Sequence, residues 1–105
     1  MSDTDKDWKI RREVVGKADP SQLHEMMGDP HFAVRCAVAR RIDPSQLPEM
    51  MGDEYWEVRC EVARRIDPSR LHEMMFDPDF MVRRAVAERI ASSEFRPPGP
   101  GLTFK

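Results

Sequence analysis

Apolar residues recur at a spacing of four along three stretches of this chain: Val34, Val38 and Ile42, then Val58, Val62 and Ile66, then Val82, Val86 and Ile90. Ala39, Ala63 and Ala87 lie beside them. This spacing predicts one apolar stripe on each of three amphipathic helices. Small Ala beside Val predicts close approach between neighbouring helices. An aromatic residue opens each helix (Phe32, Trp56 and Phe80), and Trp8 opens an earlier copy of the pattern. The interiors are rich in Ala, Arg and Glu, all compatible with helix. Asp5, Asp29, Asp53 and Asp77 are expected to cap these helices, because a carboxylate can accept from the free N–H groups of a first turn. Pro30 and Pro78 then fall at the first helical position.

The helices are expected to end at Asp19-Pro20, Asp43-Pro44 and Asp67-Pro68, since the residue before a proline avoids the α region. Each Asp-Pro opens a shorter element: SQLHEMM, SQLPEMM and SRLHEMM. These predict one or two turns of α- or 3-10 helix, with Leu23, Leu47 and Leu71 pointing inward. Gly28 and Gly52 are placed to reverse the chain into the next unit, while Phe76 stands at the third such position.

The two elements together form a 24-residue repeat without insertion or deletion. Residues 5–28 read DKDWKIRREVVGKADPSQLHEMMG, residues 29–52 DPHFAVRCAVARRIDPSQLPEMMG, and residues 53–76 DEYWEVRCEVARRIDPSRLHEMMF. A fourth copy begins at residue 77 and loses the pattern near residue 92. One such unit cannot bury its own apolar face, whereas stacked copies can. The expected organisation is a frayed N-terminus at 1–4, a single repeat domain at 5–95 and a flexible Pro/Gly tail at 96–105, the last containing PPGPG. Within the domain the repeats are 5–28, 29–52, 53–76 and a partial 77–95. Phe95 shares the column of Leu23, Leu47 and Leu71 and is placed to plug the open end.

Composition adds little to the fold and restricts the function. The 105 residues, 40% hydrophobic and 34% charged, suit one folded domain. The formal net charge of −2 provides no global basic field to favour nucleic acid or an acidic membrane. Thirteen of the 17 cationic residues are Arg, the residue chosen where a planar bidentate donor is wanted. Cys36 and Cys60 occupy one column of successive repeats. Stacked helices lie about 8–10 Å apart, farther than a disulfide's Cα separation of about 4.4–6.8 Å. Two free thiols and a reducing compartment, the cytoplasm, are therefore expected. No apolar run is long enough to span a bilayer, and the polar, acidic Met1 to Asp7 is unlike a signal peptide.

The run Asp-Pro-x-aromatic-x-Val-Arg-x-x-Val-Ala-x-Arg-Ile followed by Asp-Pro-x-x-Leu resembles the leucine-rich repeat variant family over about residues 5–92. The resemblance implies an all-α, right-handed solenoid of four repeats, each a long α-helix plus a short α- or 3-10 helix. HEAT-like repeats share part of the pattern in longer units. The family's founding member carries a cysteine-bound iron–sulfur cluster in a segment ahead of its repeats. This sequence shows no counterpart of that segment, and Cys36 and Cys60 have no cluster-like spacing. No cofactor or metal is expected.

Two arginine columns carry the candidate chemistry. Arg11, Arg35, Arg59 and Arg83 border the apolar stripe, and an arginine at a core edge needs a partner. Asp29, Asp53 and Asp77, or else Asp19, Asp43 and Asp67, could supply it and form a structural ladder. Arg40, Arg41, Arg64, Arg65 and Arg89, with Lys17 and interrupted by Glu88, form a basic ridge near the helix C-termini. There they complement the helix dipole or meet an acidic protein surface or phosphates. One Met of each pair Met26-Met27, Met50-Met51 and Met74-Met75 is expected inside and the other at the surface, with Glu25, Glu49 and Glu73 as a solvated row.

His24 and His72 lie two repeats apart, about 20 Å at two helix spacings, too far for one metal. Ser21, Ser45 and Ser69 read as turn residues. No HExxH, P-loop or GxGxxG occurs, and the positions that differ between repeats suggest no acid–base cluster. The expected function is non-enzymatic protein–protein interaction along one solenoid face. The alternative is nucleic-acid or phosphate binding through the ridge. The expected state is a monomer or weak self-associate.

Overall fold

The Asp-Pro steps divide the chain as their chemistry requires. The computed structural model describes residues 3–94, and the side chains of residues 7–91. The long helices are α1 (Asp3–Lys17), α3 (Phe32–Arg41), α4 (Trp56–Arg65) and α5 (Phe80–Glu94). Between them lie α2 (Pro20–Leu23) with the 3-10 turn η1 (His24–Met26), then the 3-10 helices η2 (Pro44–Met50) and η3 (Pro68–Met74). Helix α3 packs on α1, α4 on α3, and α5 on α4, while η2 packs against α4 and η3 against α5. The chain is thus an all-helical repeat solenoid, with long helices in one layer and short ones in the other.

The long helices stop where Ile42 and Ile66 turn to extended backbone at ψ 156° and 154°, just ahead of the Asp-Pro step. The Asp43 and Asp67 side chains then accept from the Ser45 and Ser69 N–H groups, both at 2.9 Å. These aspartates cap the short helices, with Pro44 and Pro68 in the first turn. Pro48, which has no N–H, falls inside η2, where the tight 3-10 turn accommodates it. Between the layers lie Val34, Val38, Ile42, Leu47, Val58, Val62 and Ile66, all fully buried. Met50 and Met74 are buried and Met75 is exposed, so the second Met of the last pair faces out.

Three local expectations are corrected. Asp29, Asp53 and Asp77 do not cap the long helices. Helices α3 and α4 start three residues later, and their cap positions are His31 and Tyr55. The His31 ring nitrogen accepts from the Ala33 N–H at 3.0 Å. Pro30 and Pro78 consequently sit in the bend before the helix. Each Asp instead closes a short turn, accepting from the N–H of His31, Tyr55 or Asp79 at 2.8–2.9 Å. The glycines also differ from expectation. Neither Gly28 nor Gly52 adopts positive φ, and a Cβ at either would meet nothing within 4 Å. Met27, Met51 and Met75 just ahead stay right-handed, so the reversal needs no left-handed residue and Phe76 can take the same place. Helix α1 also starts ahead of Asp5, at Asp3. The expected tail at 96–105 and Phe95 plug lie outside the described residues, as do Met1 and Ser2 of the expected frayed start.

Arginines join the repeats in both directions. Arg11 donates to Asp29 through Nε at 2.7 Å and Nη2 at 3.0 Å. Arg35 does the same to Asp53 at 2.7 and 3.1 Å, and Arg59 to Asp77 at 2.8 and 3.0 Å. The third nitrogen of Arg35 and Arg59 donates to the Asp29 and Asp53 carbonyls, each at 2.8 Å. Burial acts to raise the Asp29 carboxyl, but the Arg11 hydrogen bonds and the His31 N–H outweigh it and hold it below the usual range. Running backward, Arg41 donates to the carbonyls of Val15 and Ala18. Arg65 donates to those of Ala39 and Ile42 at 2.7 and 2.8 Å, and Arg89 to those of Ala63 and Ile66 at 3.1 and 2.7 Å. These carbonyls lie at helix C-termini, which lack intrahelical donors.

The Arg35 and Asp53 side chains are only 10% and 9% exposed. Removing one leaves the other charged and dry, at a cost of about 3–5 kcal/mol. Arg35→Ala should therefore lower the urea midpoint strongly, while Arg83→Ala, which frees only the Asp77 carbonyl, should lower it far less. Equal effects would show that the carboxylate pairing does not stabilise the stack. Gly52→Ala should be neutral or stabilising by up to about 1 kcal/mol in the same assay, and clear destabilisation would contradict the absence of any backbone requirement there.

Candidate functional site

Aligning the repeats on their helices gives four outward columns on the long-helix face. They hold Lys9, Ala33, Glu57 and Met81; Arg12, Cys36, Cys60 and Arg84; Glu13, Ala37, Glu61 and Ala85; and Gly16, Arg40, Arg64 and Glu88. These vary more than the inner columns, with Cys36 matched by Cys60 and Arg40 by Arg64 and the other positions changing from repeat to repeat. The variable residues converge on a cavity of about 410 Å³. Phe32, Trp56 and Met81 give it apolar walls, and Cys36 and Cys60 add to its lining. Arg12, Arg40 and Arg64 contribute three cations, and Glu57 and Glu61 contribute two carboxylates. Residues that sequence reading kept apart are thus brought together. Glu57, Glu61 and Arg12 were missed because single charged residues in a helix look alike; only comparison of columns shows that α4 carries Glu where α3 and α5 carry Ala or Met.

Glu61 is 9% exposed and lies against two arginines. Arg40 Nη2 lies 3.0 Å and Arg64 Nη1 3.5 Å from its Oε2. The hydrogen bond to Glu61 raises the Arg40 pKa further. Both arginine side chains remain more than half exposed, so they present donors to solvent while holding Glu61. Arg12 stands over the Trp8 ring at 5.0 Å, and no carboxylate pairs with it among the described residues. One Glu57 oxygen, Oε1, is buried without a hydrogen-bond partner.

An aromatic row runs along the helix starts. Trp8 stacks on His31 at 4.2 Å, His31 on Phe32 at 5.1 Å, and Phe32 on Tyr55 at 4.8 Å. The row pairs the first aromatic of one repeat with the cap residue of the next. Asp79 occupies that cap position after Tyr55, so Trp56 has no ring to stack on among the described residues. Trp56 and Met81 are exposed at the groove as a result.

The expected basic ridge divides in two. Arg41, Arg65 and Arg89 point back onto helix-end carbonyls, while Arg40 and Arg64 face the groove. Arg11, Arg35 and Arg59 make the carboxylate pairs described above, and Arg83, in the same column, bonds the Asp77 carbonyl. His24 bonds Gln46 across repeats at 2.6 Å. Among the described residues no group of three or more His, Cys, Asp and Glu is arranged to hold a metal ion, and no helix is long and apolar enough to cross a membrane.

Both cysteines are free and buried. Burial, then the charge of Glu61, pushes the Cys36 thiol up to about 11. Burial likewise raises Cys60. At neutral pH the two are protonated, and they serve as small apolar wall residues rather than thiolate nucleophiles.

None of the protein-family models and none of the curated protein sequences matches the chain. A solved structure described as a leucine-rich repeat variant with a novel repetitive protein structural motif superposes with a TM-score of 0.73 at 35% identity. The match covers 84% of this chain and 41% of that one, so the chain spans less than half the length of its structural relative.

A thiol raised by folding stabilises the fold below its ordinary value and loses that contribution as pH rises through the folded value. Stability should therefore fall between pH 9.0 and about 11 as Cys36 ionises. Cys36→Ala should flatten that part of a urea-midpoint profile. An equally steep fall in the variant would show that the buried thiol is not responsible.

Proposed function

We propose that this chain, which has the leucine-rich repeat variant fold, is a non-catalytic docking module that holds a segment of another protein along its long-helix groove. The observation that carries this reading is the convergence of the variable positions. Inner-column residues maintain the stack, and outer-column residues from all four repeats collect at one cavity with apolar walls and charged groups. A cavity of about 410 Å³ lies within the usual size range of ligand pockets and accommodates a few side chains.

The charges indicate what the segment carries. Among the described residues Arg12 has no anionic partner, and Arg40 and Arg64 share one carboxylate, so an acidic side chain on the segment suits the three cations. Apolar side chains suit the walls at Phe32, Trp56 and Met81. Free thiols fit a protein of a reducing compartment such as the cytoplasm. The alternative of nucleic-acid binding has less support, because Arg41, Arg65 and Arg89 are engaged with backbone carbonyls and the total charge is −2.

Selection from a displayed random-peptide library tests the proposal. Enriched peptides should carry Asp or Glu next to apolar residues, and Arg12→Glu with Arg64→Glu should weaken their binding at least about tenfold. Arg70→Glu should not, because Arg70 pairs with Glu73 on η3 in the other layer. Peptides unaffected by the groove variants, or tight salt-sensitive binding to DNA instead, would overturn the proposal.

A further inference from the structure

We propose that the two ends of the stack dock on each other, so that a second copy of this chain continues the solenoid head to tail. The proposal is independent of the groove. It rests on which columns lose their cover at each end. At the first repeat, Ile10 is 62% and Val14 50% exposed. Their column partners Val34, Val58 and Val82, and Val38, Val62 and Val86, are at most 1% exposed. The difference is positional: each later valine is covered by the repeat before it.

The other end shows the reverse. Ala39 and Ala63 are fully buried, whereas Ala87, their counterpart, is exposed. Ile42 and Ile66 are fully buried, whereas Ile90 is only partly so. Met75 is more open than Met27 and Met51. These residues surround an apolar depression of about 330 Å³ with Arg83 at its edge. Arg35 and Arg59 each grip a carboxylate of the following repeat, but among the described residues Arg83 bonds only the carbonyl of Asp77.

One end therefore presents the apolar columns that a preceding repeat covers, and the other presents the columns that a following repeat covers. At each internal junction the later long helix packs on the long helix before it and on the short helix between them. A second copy brought head to tail meets the long-helix part of that interface, with similar residue types in the same columns, and Lys17 takes the column position of Arg41, Arg65 and Arg89. The contact is heterologous and does not close after one step. It uses one helix-pair face, less than a standard protein interface, so association is weak, with a dissociation constant in the roughly micromolar to millimolar range.

Sedimentation of the full chain over a roughly hundredfold concentration range that reaches about 1 mM tests this directly. The mean mass should rise with concentration. Ile10→Glu with Val14→Glu blocks one end and Ala87→Glu blocks the other, and each variant alone should remain monomeric. All three positions are solvent-exposed in the single chain, so both variants should still fold, as circular dichroism can verify. Mixing the two variants leaves one intact end on each and should produce a heterodimer that grows no further. A wild-type chain that stays monomeric throughout, oligomers that survive either variant, or a mixture that forms no dimer would each overturn the proposal.

Discussion

The arginine stitches between repeats are the constraint on which the rest of the structure depends. Apolar burial supplies most of the driving force for a stack, but it has no direction, and one valine stripe could slide over another. A guanidinium held by both oxygens of a carboxylate fixes position and angle together. Each forward stitch joins residues 18 apart, and each backward stitch joins residues 23 and 26 apart. Those separations hold only if the repeat length is constant. An inserted residue would move an arginine away from its acceptor and leave a charge stranded at the core edge. The strict 24-residue period is thus a structural requirement of the stitches.

This arrangement also determines where chemistry can occur. Most arginines near the core are already engaged, by carboxylates in one direction and helix-end carbonyls in the other. Cations that remain available to a partner are those on the outer face of the long helices, chiefly Arg12, Arg40 and Arg64. The same face carries the departures from the repeat. A solenoid that must keep its inner columns uniform can vary its outer ones, and here α4 carries Glu57 and Glu61 where α3 carries Ala33 and Ala37. The protonated thiols of Cys36 and Cys60 belong to that face as packing groups.

Much of the fold was legible in the sequence because helix breaks and stripes are local. The Asp-Pro steps, the Val and Ile spacing and the buried Leu columns needed no tertiary information. Arg11, Arg35 and Arg59 clearly needed carboxylates, but two Asp columns were available and only the path of the chain selects Asp29, Asp53 and Asp77. The same Asp residues look like helix caps in sequence, since Asp-Pro is a common helix start. Their carboxylates are claimed from the preceding repeat, and the helix begins later for that reason. Gly28 and Gly52 suggest left-handed turns, yet consecutive 3-10 turns reverse the chain without one. Arg40 and Arg41 are neighbours in sequence and point in different directions on the helix, so one string of letters concealed both a stitch and a groove residue. Glu57 and Glu61 became visible only when columns, rather than segments, were compared.

A double-mutant cycle on Arg35 and Asp53 measures the stitch most directly. Arg35→Ala, Asp53→Ala and the pair together should give a coupling free energy of about 1.5–3 kcal/mol, the upper part of the range for residues in one ion-pair network. Simple additivity, within about 0.5 kcal/mol, would mean that apolar packing alone sets the register and that the arginine columns are incidental to the stack.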